Sequence, residues 1–402
     1  MACRTSSIVS SEWTQSLAVF AATAAAYVWL RRPRLPIEDY RGIELEPSPS
    51  VTFEEALEIL AKDENAVLID TRTPKEYEEA HAWGAVNIPL MSNDQRHLIG
   101  LTYHEQSKQA AIDMGWRIFS PRITDFCKQF DKFRGKRLLV YCWRGGMRSR
   151  IVVNLLRRHG HDGNVQQVTG GYKHYLNKIV WKRLDAYAED YKPHFIVVTG
   201  HTGTRKTEIL HRLASAGLPM IDLEGLAGHR SSIYGAVDMN PQSQKMFSIG
   251  LYAKLHQYQN EPYIFLEGEA HKVGDVHVPQ FLCRRILSDR QILVTATMET
   301  RIANLKREYL QTSDSVRQLH QATDRMRKYI GNKNTDMLHK LLDDKDFDTF
   351  TEWLLVNHYD MGYRFQRNGN AYDLEVSSDD MDKCCAQIMD YYHDLLKKHR
   401  VS

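Results

Sequence analysis

Cysteine is scarce in this chain, which contains six cysteines among 402 residues. None of them forms a C-x-x-C pair with zinc-ligand spacing, and they are too few for a dense disulfide framework. The sequence therefore predicts a protein of a reducing compartment without a structural metal site. The six are Cys3, Cys127, Cys142, Cys283, Cys384 and Cys385.

A large excess of charge of one sign is also missing. Lys and Arg number 53 and Asp and Glu number 50, which gives a formal net charge of +3 and a pI near 8.4. Bulk charge alone therefore does not predict a nucleic-acid partner, and any such partner would have to meet a local basic patch. The length and the 43% share of hydrophobic residues suffice for two cores, so two domains are expected.

Long hydrophobic runs are represented by one stretch, residues 17–30, which Arg31 and Arg32 follow directly. This pattern favours a membrane anchor over residues 13–30 that leaves the rest of the chain facing the cytosol. The Ser-rich segment before it, with few acids, also fits a mitochondrial transit peptide, and an ordinary packed helix is the third interpretation. Residues 1–50 are therefore assigned to an anchor or targeting segment and a linker.

After residue 50 the sequence predicts alternating helices and strands, an arrangement typical of an α/β fold with a parallel sheet. Residues 66–70 and 138–140 are short, mostly apolar runs of strand length, and residues 165–168 predict another strand. Active sites of such sheets lie at the carboxyl ends of the strands. Asp70 ends the first of these runs and Cys142 follows the second, so both are candidates for such a site.

A loop that contains two glycines joins Cys142 to a helix predicted over residues 151–156. Such a loop directs several backbone N–H groups and the positive helix end at one point, where a thiolate is favoured. Arg144 and Arg148 add positive charge beside it. This local pattern is a strand, a cysteine, five further residues, an arginine and a helix. It occurs both in rhodanese sulfurtransferases and in phosphatases that form phosphocysteine. The pattern predicts a cysteine that accepts a group from an anionic donor, without deciding which group.

The second half of the chain contains a phosphate-binding pattern. Residues 195–199 predict a strand, and a loop with a lysine, a threonine and the start of an amphipathic helix follows it. Arg205 stands where the pattern G-x-x-x-x-G-K-[ST] has glycine, so its side chain either crowds a phosphate or contacts one. The candidate phosphate-binding residues are Gly200, Gly203, Arg205, Lys206 and Thr207.

Carboxylates near strand ends of this half are candidates for Mg²⁺ binding or for proton transfer. Residues 263–267 predict a strand that ends in Glu267, and Glu269 lies two residues further on. Asp222 opens a loop of acidic and basic residues after another predicted strand. The plainer interpretation of each is a solvated carboxylate at a strand end.

Several spaced motifs resemble one known family. The segments near Asp70 and Cys142 look like a rhodanese domain. The motif Cys-Trp-Arg-Gly-Gly-Met-Arg-Ser is similar to that of the tRNA 2-selenouridine synthases in particular. In that family a P-loop domain follows the rhodanese domain. The matching segments are residues 70–77, 81–89, 142–149, 170–173, 222–232, 241–247 and 354–360.

The resemblance implies a rhodanese-like domain over residues 51–188 and a P-loop domain with a helical C-terminal part over residues 189–376. Residues 377–402 then predict a separate terminal helix, with Ser377 as its N-cap. Cys384 and Cys385 lie on the apolar side of this helix, so they are expected to be core residues and not a redox pair.

The resemblance also implies a two-step reaction on the wobble 2-thiouridine of tRNA. Geranyl diphosphate places a geranyl group on the sulfur, and selenium from selenophosphate then replaces that sulfur. Cys142 would carry selenium as a perselenide, and Arg144 and Arg148 would bind selenophosphate. The residues expected to support the loop are Asp70, Arg72, Gly145, Gly146 and Ser149.

No tightly bound cofactor is implied, although Mg²⁺ is a candidate, and the partners are tRNA and the enzyme that supplies selenophosphate. Two other functions stay open. One is a rhodanese-type sulfurtransferase or cysteine phosphatase with a degenerate P-loop domain, and the other is a non-catalytic tethered tRNA-binding protein. Candidate contacts of the tRNA phosphates, each of which also fits a solvated helix face, are Lys173, His174, Lys178, Lys182, Arg183, Arg325, Arg327 and Lys328.

Overall fold

The computed structural model describes residues 42–43, 45–161, 164–268, 271–362 and 372–401. They form two compact units. The first contains the described residues up to Glu78 together with Gly84–His174, and the second contains Glu79–Trp83 together with the described residues from Tyr175 onward. The predicted domain boundary, between residues 188 and 189, lies downstream of this division. The hydrophobic stretch 17–30 lies outside the described residues. Among the described residues, no helix is both long and apolar enough to cross a membrane.

The first unit is built on a five-stranded sheet in which every pair of neighbours is parallel. Its strands are β1 (Ser50–Val51), β2 (Ala66–Asp70), β3 (Val86–Asn87), β4 (Arg137–Tyr141) and β5 (Val165–Val168), in the order β1-β5-β4-β2-β3. The central strand β4 has Leu138, Leu139 and Val140 fully buried, as expected where helices cover both faces of a sheet. The predicted parallel α/β sheet is confirmed.

Helices surround this sheet and position its loops. They are α1 (Phe53–Lys62), α2 (Pro74–Glu79), α3 (Asn93–Glu105), α4 (Lys108–Phe119), α5 (Ile123–Lys128), α6 (Met147–Arg158) and α7 (Gly171–His174), with short 3₁₀ turns at Ser120–Arg122 and Asp131–Phe133. A capping box between Thr52 and Glu55 starts α1. Helix α6 begins four residues before the predicted helix start at residue 151, so the cysteine loop turns directly into it.

The second unit contains another five-stranded parallel sheet, in the order β12-β11-β6-β8-β7. Its strands are β6 (His194–Gly200), β7 (Met220–Ile221), β8 (Tyr263–Glu267), β11 (Arg290–Thr295) and β12 (Leu374–Ser377). A small antiparallel pair, β9 (Lys272–Val273) and β10 (Val276–His277), stands apart from this sheet. The sheet places the carboxyl ends of the neighbouring strands β6 and β8 side by side. The candidate phosphate-binding loop follows the end of β6, and the candidate carboxylate Glu267 lies at the end of β8.

The helices of the second unit include a long C-terminal group, as predicted. They are α8 (Trp181–Asp190), α9 (Lys206–Ser215), α10 (Leu223–Ala227), α11 (Gln244–Gln257), α12 (Gln280–Ser288), α13 (Met298–Tyr309), α14 (Ser315–Asp343), α15 (Phe347–Leu354), α16 (Asp360–Gly362) and α17 (Met381–Val401), with π-helical turns at Tyr175–Val180 and Leu355–Tyr359. Gly331, with φ of +77°, bends α14 sharply. The two halves of α14 share one apolar cluster with α15.

The C-terminal segment differs from the prediction at its start. Ser377 ends strand β12, where it pairs with Thr295 of β11, and does not cap a helix. Helix α17 begins at Met381, and the Asp380 carboxylate accepts a hydrogen bond of 3.0 Å from the Lys383 N–H. The start of the helix is set by the pairing of Ser377 with the distant strand β11, and the periodicity of the sequence carries no information on such a pairing. Helix α17 packs against the second sheet, so it belongs to that unit's core.

Cys384 tests how tightly α17 is packed. Its side chain is fully buried, and burial raises the pKa of the thiol to about 12. We expect Cys384→Ser to lower the free energy of unfolding by about 1–2 kcal/mol more than Cys384→Ala. The serine hydroxyl gives up its hydrogen bonds to water on folding, and the apolar core offers it no hydrogen-bond partner in return. Urea unfolding of the two variants measures the difference. Equal stabilities would show that the site accommodates a hydroxyl.

Candidate active sites

Cys142 lies at the carboxyl end of β4, immediately before the loop that leads into α6. Its sulfur accepts a hydrogen bond from the Gly146 N–H at 3.3 Å and another from the Ser149 hydroxyl at 3.4 Å. The residue is only 2% exposed, yet it lines a cavity of the first unit. Donors that converge on a sulfur beside a helix N-terminus suit a thiolate nucleophile.

Two glycines allow this loop to close against the segment that follows β5. Gly145 has φ of +61° and Gly171 has φ of +57°. A Cβ on Gly145 would lie 2.5 Å from the Val168 carbonyl oxygen, and one on Gly171 would lie 2.3 Å from the Cys142 carbonyl oxygen. Only glycine fits both the conformation and the space. The glycine pair at residues 170–171 therefore belongs to the cysteine site.

Gln167 is a loop support that the sequence reasoning missed. Its side-chain N–H₂ donates to the carbonyl oxygens of Gly145 at 2.7 Å and Gly146 at 2.9 Å, and it lies 3.1 Å from the Ser149 hydroxyl oxygen. Its own oxygen accepts a hydrogen bond from the Ser48 hydroxyl at 2.6 Å. A glutamine within a predicted strand was the available signal, because an amide that is buried there requires partners.

The two arginines of the loop are placed differently. An Arg148 Nη atom lies 2.9 Å from a carboxylate oxygen of Glu76, and despite the opposing effect of burial this guanidinium holds the pKa of Glu76 below its ordinary value. Arg144 is exposed, and within the described part of the chain it has no acidic partner. Arg148 is therefore fixed in direction, whereas Arg144 offers an unneutralised guanidinium for an anion.

Asp70 and Arg72 form a buried ion pair behind the loop. An Arg72 Nη atom lies 2.7 Å from an Asp70 oxygen, and the Tyr141 hydroxyl donates to the same carboxylate at 2.8 Å. The Arg72 guanidinium also stacks 3.9 Å from the centre of the Tyr172 ring. Because the two charged side chains are 0% and 1% exposed, their position fits support of the loop and not contact with a substrate.

The phosphate-binding loop of the second unit is held from one side by α13. Arg301 donates to the Thr202 carbonyl oxygen at 2.8 Å, and Asn304 donates to the Gly203 carbonyl oxygen at 3.0 Å. The Lys206 ammonium group donates to the Gly200 carbonyl oxygen at 3.0 Å, so its Nζ lies over the loop. The sequence reasoning missed Arg301 and Asn304, which lie about a hundred residues away from the loop that they support.

Arg205 occupies the glycine position of the loop with φ of +63°, in the left-handed region. Its Nε and one Nη donate to the Glu208 carboxylate at 2.8 Å and 2.6 Å. The hydrogen bond and charge of Arg205 hold the pKa of Glu208 below its ordinary value. The Arg205 guanidinium is therefore directed at a carboxylate of α9, which Arg307 and Arg212 also approach, at 2.7 Å and 3.5 Å.

Thr207 meets two carboxylates at the end of the loop. Its hydroxyl lies 2.9 Å from an oxygen of Glu267 and 3.2 Å from an oxygen of Glu224. Burial, together with the nearby charges of Glu224 and Asp222, raises the pKa of Glu267 well above its ordinary value. Such a carboxyl either holds a proton or requires a cation beside it. The sequence reasoning found Glu267 but missed Glu224.

The other two candidate carboxylates have different positions. Asp222 is the N-cap of α10, where it accepts a hydrogen bond from the Gly225 N–H at 2.6 Å, and it also lies 2.7 Å from His211. Glu269 lies outside the described residues. Among the described residues no group of three or more His, Cys, Asp or Glu side chains is arranged to hold a metal ion.

The candidate tRNA contacts fall into two groups. His174, Arg183 and Arg327 each have an acidic partner: Glu54, Asp190 and the pair Asp324 and Asp336 respectively. These pairs reduce the charge that is left for RNA phosphates. The candidates with exposed side chains are Lys173, Lys178, Lys182, Arg325 and Lys328.

Comparisons with known proteins agree on both units. The family described as the tRNA 2-selenouridine synthase AAA domain matches residues 193–395, and the rhodanese-like domain family matches residues 52–178. A tRNA 2-selenouridine synthase of Nitrosomonas europaea is 30% identical over 295 residues, which cover 71% of this chain and 69% of that protein. The chain belongs to the tRNA 2-selenouridine synthase family.

Other members of this family match the chain over a larger part of their length. The tRNA 2-selenouridine synthase of Hydrogenovibrio crunogenus is 28% identical over 342 residues, covering 78% of this chain and 92% of that protein. That of Marinobacter nauticus is 30% identical over 331 residues, covering 74% and 88%. Both the cysteine loop and the phosphate-binding loop fall inside the matched domain segments, so the two candidate sites are parts of the family's own domains.

The buried pair behind the cysteine loop leads to a first prediction for this site. Asp70→Asn leaves the Arg72 charge buried without its carboxylate, so we expect a loss of about 3–5 kcal/mol in the free energy of unfolding of the first unit. The double variant Asp70→Asn/Arg72→Met should recover part of this loss, because the unpaired charge is gone. Denaturant unfolding of the full chain measures both. A single variant as stable as the natural chain would contradict the assignment.

The second prediction concerns Arg205. Arg205→Gly and Arg205→Ala both remove the ion pair with Glu208, but only alanine keeps the backbone cost of the left-handed conformation. We therefore expect the glycine variant to be about 1 kcal/mol more stable than the alanine variant. Because the Arg205 side chain is already held by Glu208, both should bind diphosphate within about threefold of the natural chain. Titration calorimetry with inorganic diphosphate tests this, and a large gain in the glycine variant would show that Arg205 obstructs the loop.

Proposed function

We propose that this member of the family replaces the sulfur of a thiolated tRNA uridine by selenium, through a geranylated intermediate. The observation that supports it best is the Cys142 sulfur, held by donors at a cavity, in a chain that also has a phosphate-binding loop. The relatives named above carry the name tRNA 2-selenouridine synthase. A chain with two such sites suits a reaction in two steps.

The first step is assigned to the second unit. Loop N–H groups, Lys206 and Thr207 bind the diphosphate of geranyl diphosphate, as helix N-termini and P-loop lysines bind phosphates. The uridine sulfur attacks the first carbon of the geranyl group, the carbon–oxygen bond breaks, diphosphate leaves with the electron pair, and the base loses its N3 proton to water. A bound Mg²⁺, held by Thr207 and the Glu267 carboxylate together with diphosphate oxygens, would neutralise charge on this leaving group. No tightly bound cofactor is required.

The raised pKa of Glu267 fits this assignment. A carboxyl buried beside Glu224 and Asp222 holds its proton more firmly than usual, and a cation can replace that proton. Diphosphate binding that depends on Mg²⁺ should therefore strengthen as the pH rises through the pKa of Glu267.

The second step is assigned to Cys142, and electron counting decides which atom its thiolate attacks. Selenium in selenophosphate is already at the selenide level, so the perselenide expected from the sequence would need an additional oxidant. Attack at phosphorus needs none: a sulfur–phosphorus bond forms and selenium leaves as hydrogen selenide. Selenide then bonds to carbon 2 of the uracil ring and expels geranylthiolate, and water hydrolyses phosphocysteine to phosphate and thiol.

Arg144 and the loop amides would bind the phosphoryl oxygens during this step, while Arg148 is held in place by Glu76. The partners of the proposal are tRNA and an enzyme that supplies selenophosphate. For the N-terminal segment we keep two proposals, attachment to a membrane through residues 13–30 with the catalytic part facing the cytosol, and mitochondrial targeting. In both the catalytic part works in a reducing compartment.

Separate variants of the two sites test the order of steps. The full chain is incubated with thiolated anticodon stem-loop RNA, geranyl diphosphate and selenophosphate, and nucleosides are analysed by mass spectrometry. Cys142→Ser should accumulate S-geranyl-thiouridine and form selenouridine at least ~100-fold more slowly. Lys206→Ala should lose geranylation but still convert RNA that is already geranylated, because it leaves the thiol intact.

Three results would contradict this scheme. Selenouridine formation by Cys142→Ser at the natural rate would remove the thiol from the reaction. Release of phosphate from aryl phosphates without any RNA product would favour the cysteine phosphatase instead. Acid quenching of the natural chain with selenophosphate should trap phosphocysteine, and a perselenide on Cys142 in its place would show that an oxidant takes part.

A further inference from the structure

A cavity of about 650 Å³ opens beside Cys142 in the first unit. We name it the thiol-side cavity. The loop from Cys142 to Arg148 lines one side of it, and helices α3 and α4, which pack against each other, line the rest. The steps proposed above use the loop but give no role to the two helices.

The lining of this cavity is mostly apolar although it is open to solvent. Its apolar residues include Ile99, Tyr103, Ile112, Trp116, Met147 and Ile151. Tyr103 is 54% exposed and Trp143, which also lines the cavity, is 36% exposed. Large apolar side chains that face an open cavity mark a site for an apolar group, because they would otherwise stay in water. A purely polar substrate would leave these side chains uncovered.

The charged groups of the thiol-side cavity are all of one sign. The charged lining residues are Arg96, Lys108, Arg144 and Arg148, and neither Asp nor Glu is among the described lining residues. Arg148 is paired with Glu76, whereas Arg96, Lys108 and Arg144 have no acidic partner in the described part of the chain. The cavity is therefore complementary to a molecule that combines a hydrocarbon chain with negative charge.

We infer that the thiol-side cavity binds the hydrocarbon chain of an S-alkylated thiouridine, with the nucleotide phosphates beside Arg96 and Lys108. The inference rests on the proposed function, since only there does such a nucleotide meet Cys142. Selenophosphate and an unmodified thiouridine are both polar and do not match the apolar walls. The alkyl chain thus serves as a recognition element in addition to improving the leaving group, because its burial places the reacting carbon near the thiol loop.

A direct binding experiment tests the inference. The full chain is titrated into dye-labelled stem-loop RNA that carries either S-geranyl-thiouridine or S-methyl-thiouridine, and fluorescence anisotropy gives both dissociation constants. The natural chain should bind the geranylated RNA about 10-fold or more tightly than the methylated RNA. Ile99→Gln and Ile112→Gln should each lose most of this preference and bind methylated RNA unchanged.

Leu98 provides the matched control. It precedes Ile99 on α3 and is 46% exposed, and it does not line the cavity, so Leu98→Gln should keep the preference. Thermal melts establish that the three variants are folded. Equal binding of both RNAs by the natural chain, or identical behaviour of Ile99→Gln and Leu98→Gln, would overturn the inference whatever happens in the selenium assay.

A second experiment distinguishes the two molecules that could bring the hydrocarbon chain to the cavity, geranylated RNA and geranyl diphosphate. Geranyl diphosphate should bind Ile112→Gln as it binds the natural chain and should bind Lys206→Ala weakly. The reverse result would assign the cavity to the diphosphate ester and overturn the inference. If geranylated RNA binds through the cavity but never receives selenium from selenophosphate, the proposed function fails while this binding site stands.

Discussion

The closure of the cysteine loop onto the chain after β5 is the contact on which the first site depends. The backbone of Gly171 approaches Cys142 and Gly145 so closely that a single added carbon on Gly171 would lie 2.3 Å from the Cys142 carbonyl oxygen. The Tyr172 N–H donates to that same oxygen at 2.9 Å, which fixes the start of the loop. Because the loop is fixed at its start, the Gly146 N–H and the Ser149 hydroxyl are held where they donate to the Cys142 sulfur.

The charged groups around this loop act at different distances from the reaction. The buried pair of Asp70 and Arg72 supports the aromatic side chains of Tyr141 and Tyr172 beneath it, and Glu76 orients Arg148. A buried pair of this kind adds little net stability but strongly penalises other arrangements of the loop. Arg144 is exposed and has no acidic partner in the described part of the chain, so the two arginines of the loop differ in what holds them.

The candidate phosphate-binding loop of the second unit is also held in place by a side chain from a distant part of the sequence. Arg301 forms two hydrogen bonds with Asp360, at 2.9 Å and 2.6 Å, and a third with the Thr202 carbonyl oxygen. The loop is thus connected, through Arg301, to the helical region that lies between β11 and β12. Hydrogen bonds to Glu208 hold the side chain of Arg205, which stands at a glycine position of the loop.

Short-range patterns in the sequence determined much of this protein. Strand–loop–helix patterns located Cys142 and the Lys206 loop, and alternating segments predicted the parallel sheet of the first unit, because these features depend on residues that are neighbours in the chain. Only the tertiary structure showed Gln167, Glu224 and Arg301 at the sites, ended β12 at Ser377, and enclosed the apolar cavity beside the thiol. Each of these requires contacts between residues far apart in sequence, whose pairing is decided by packing and by the need of buried polar groups for partners.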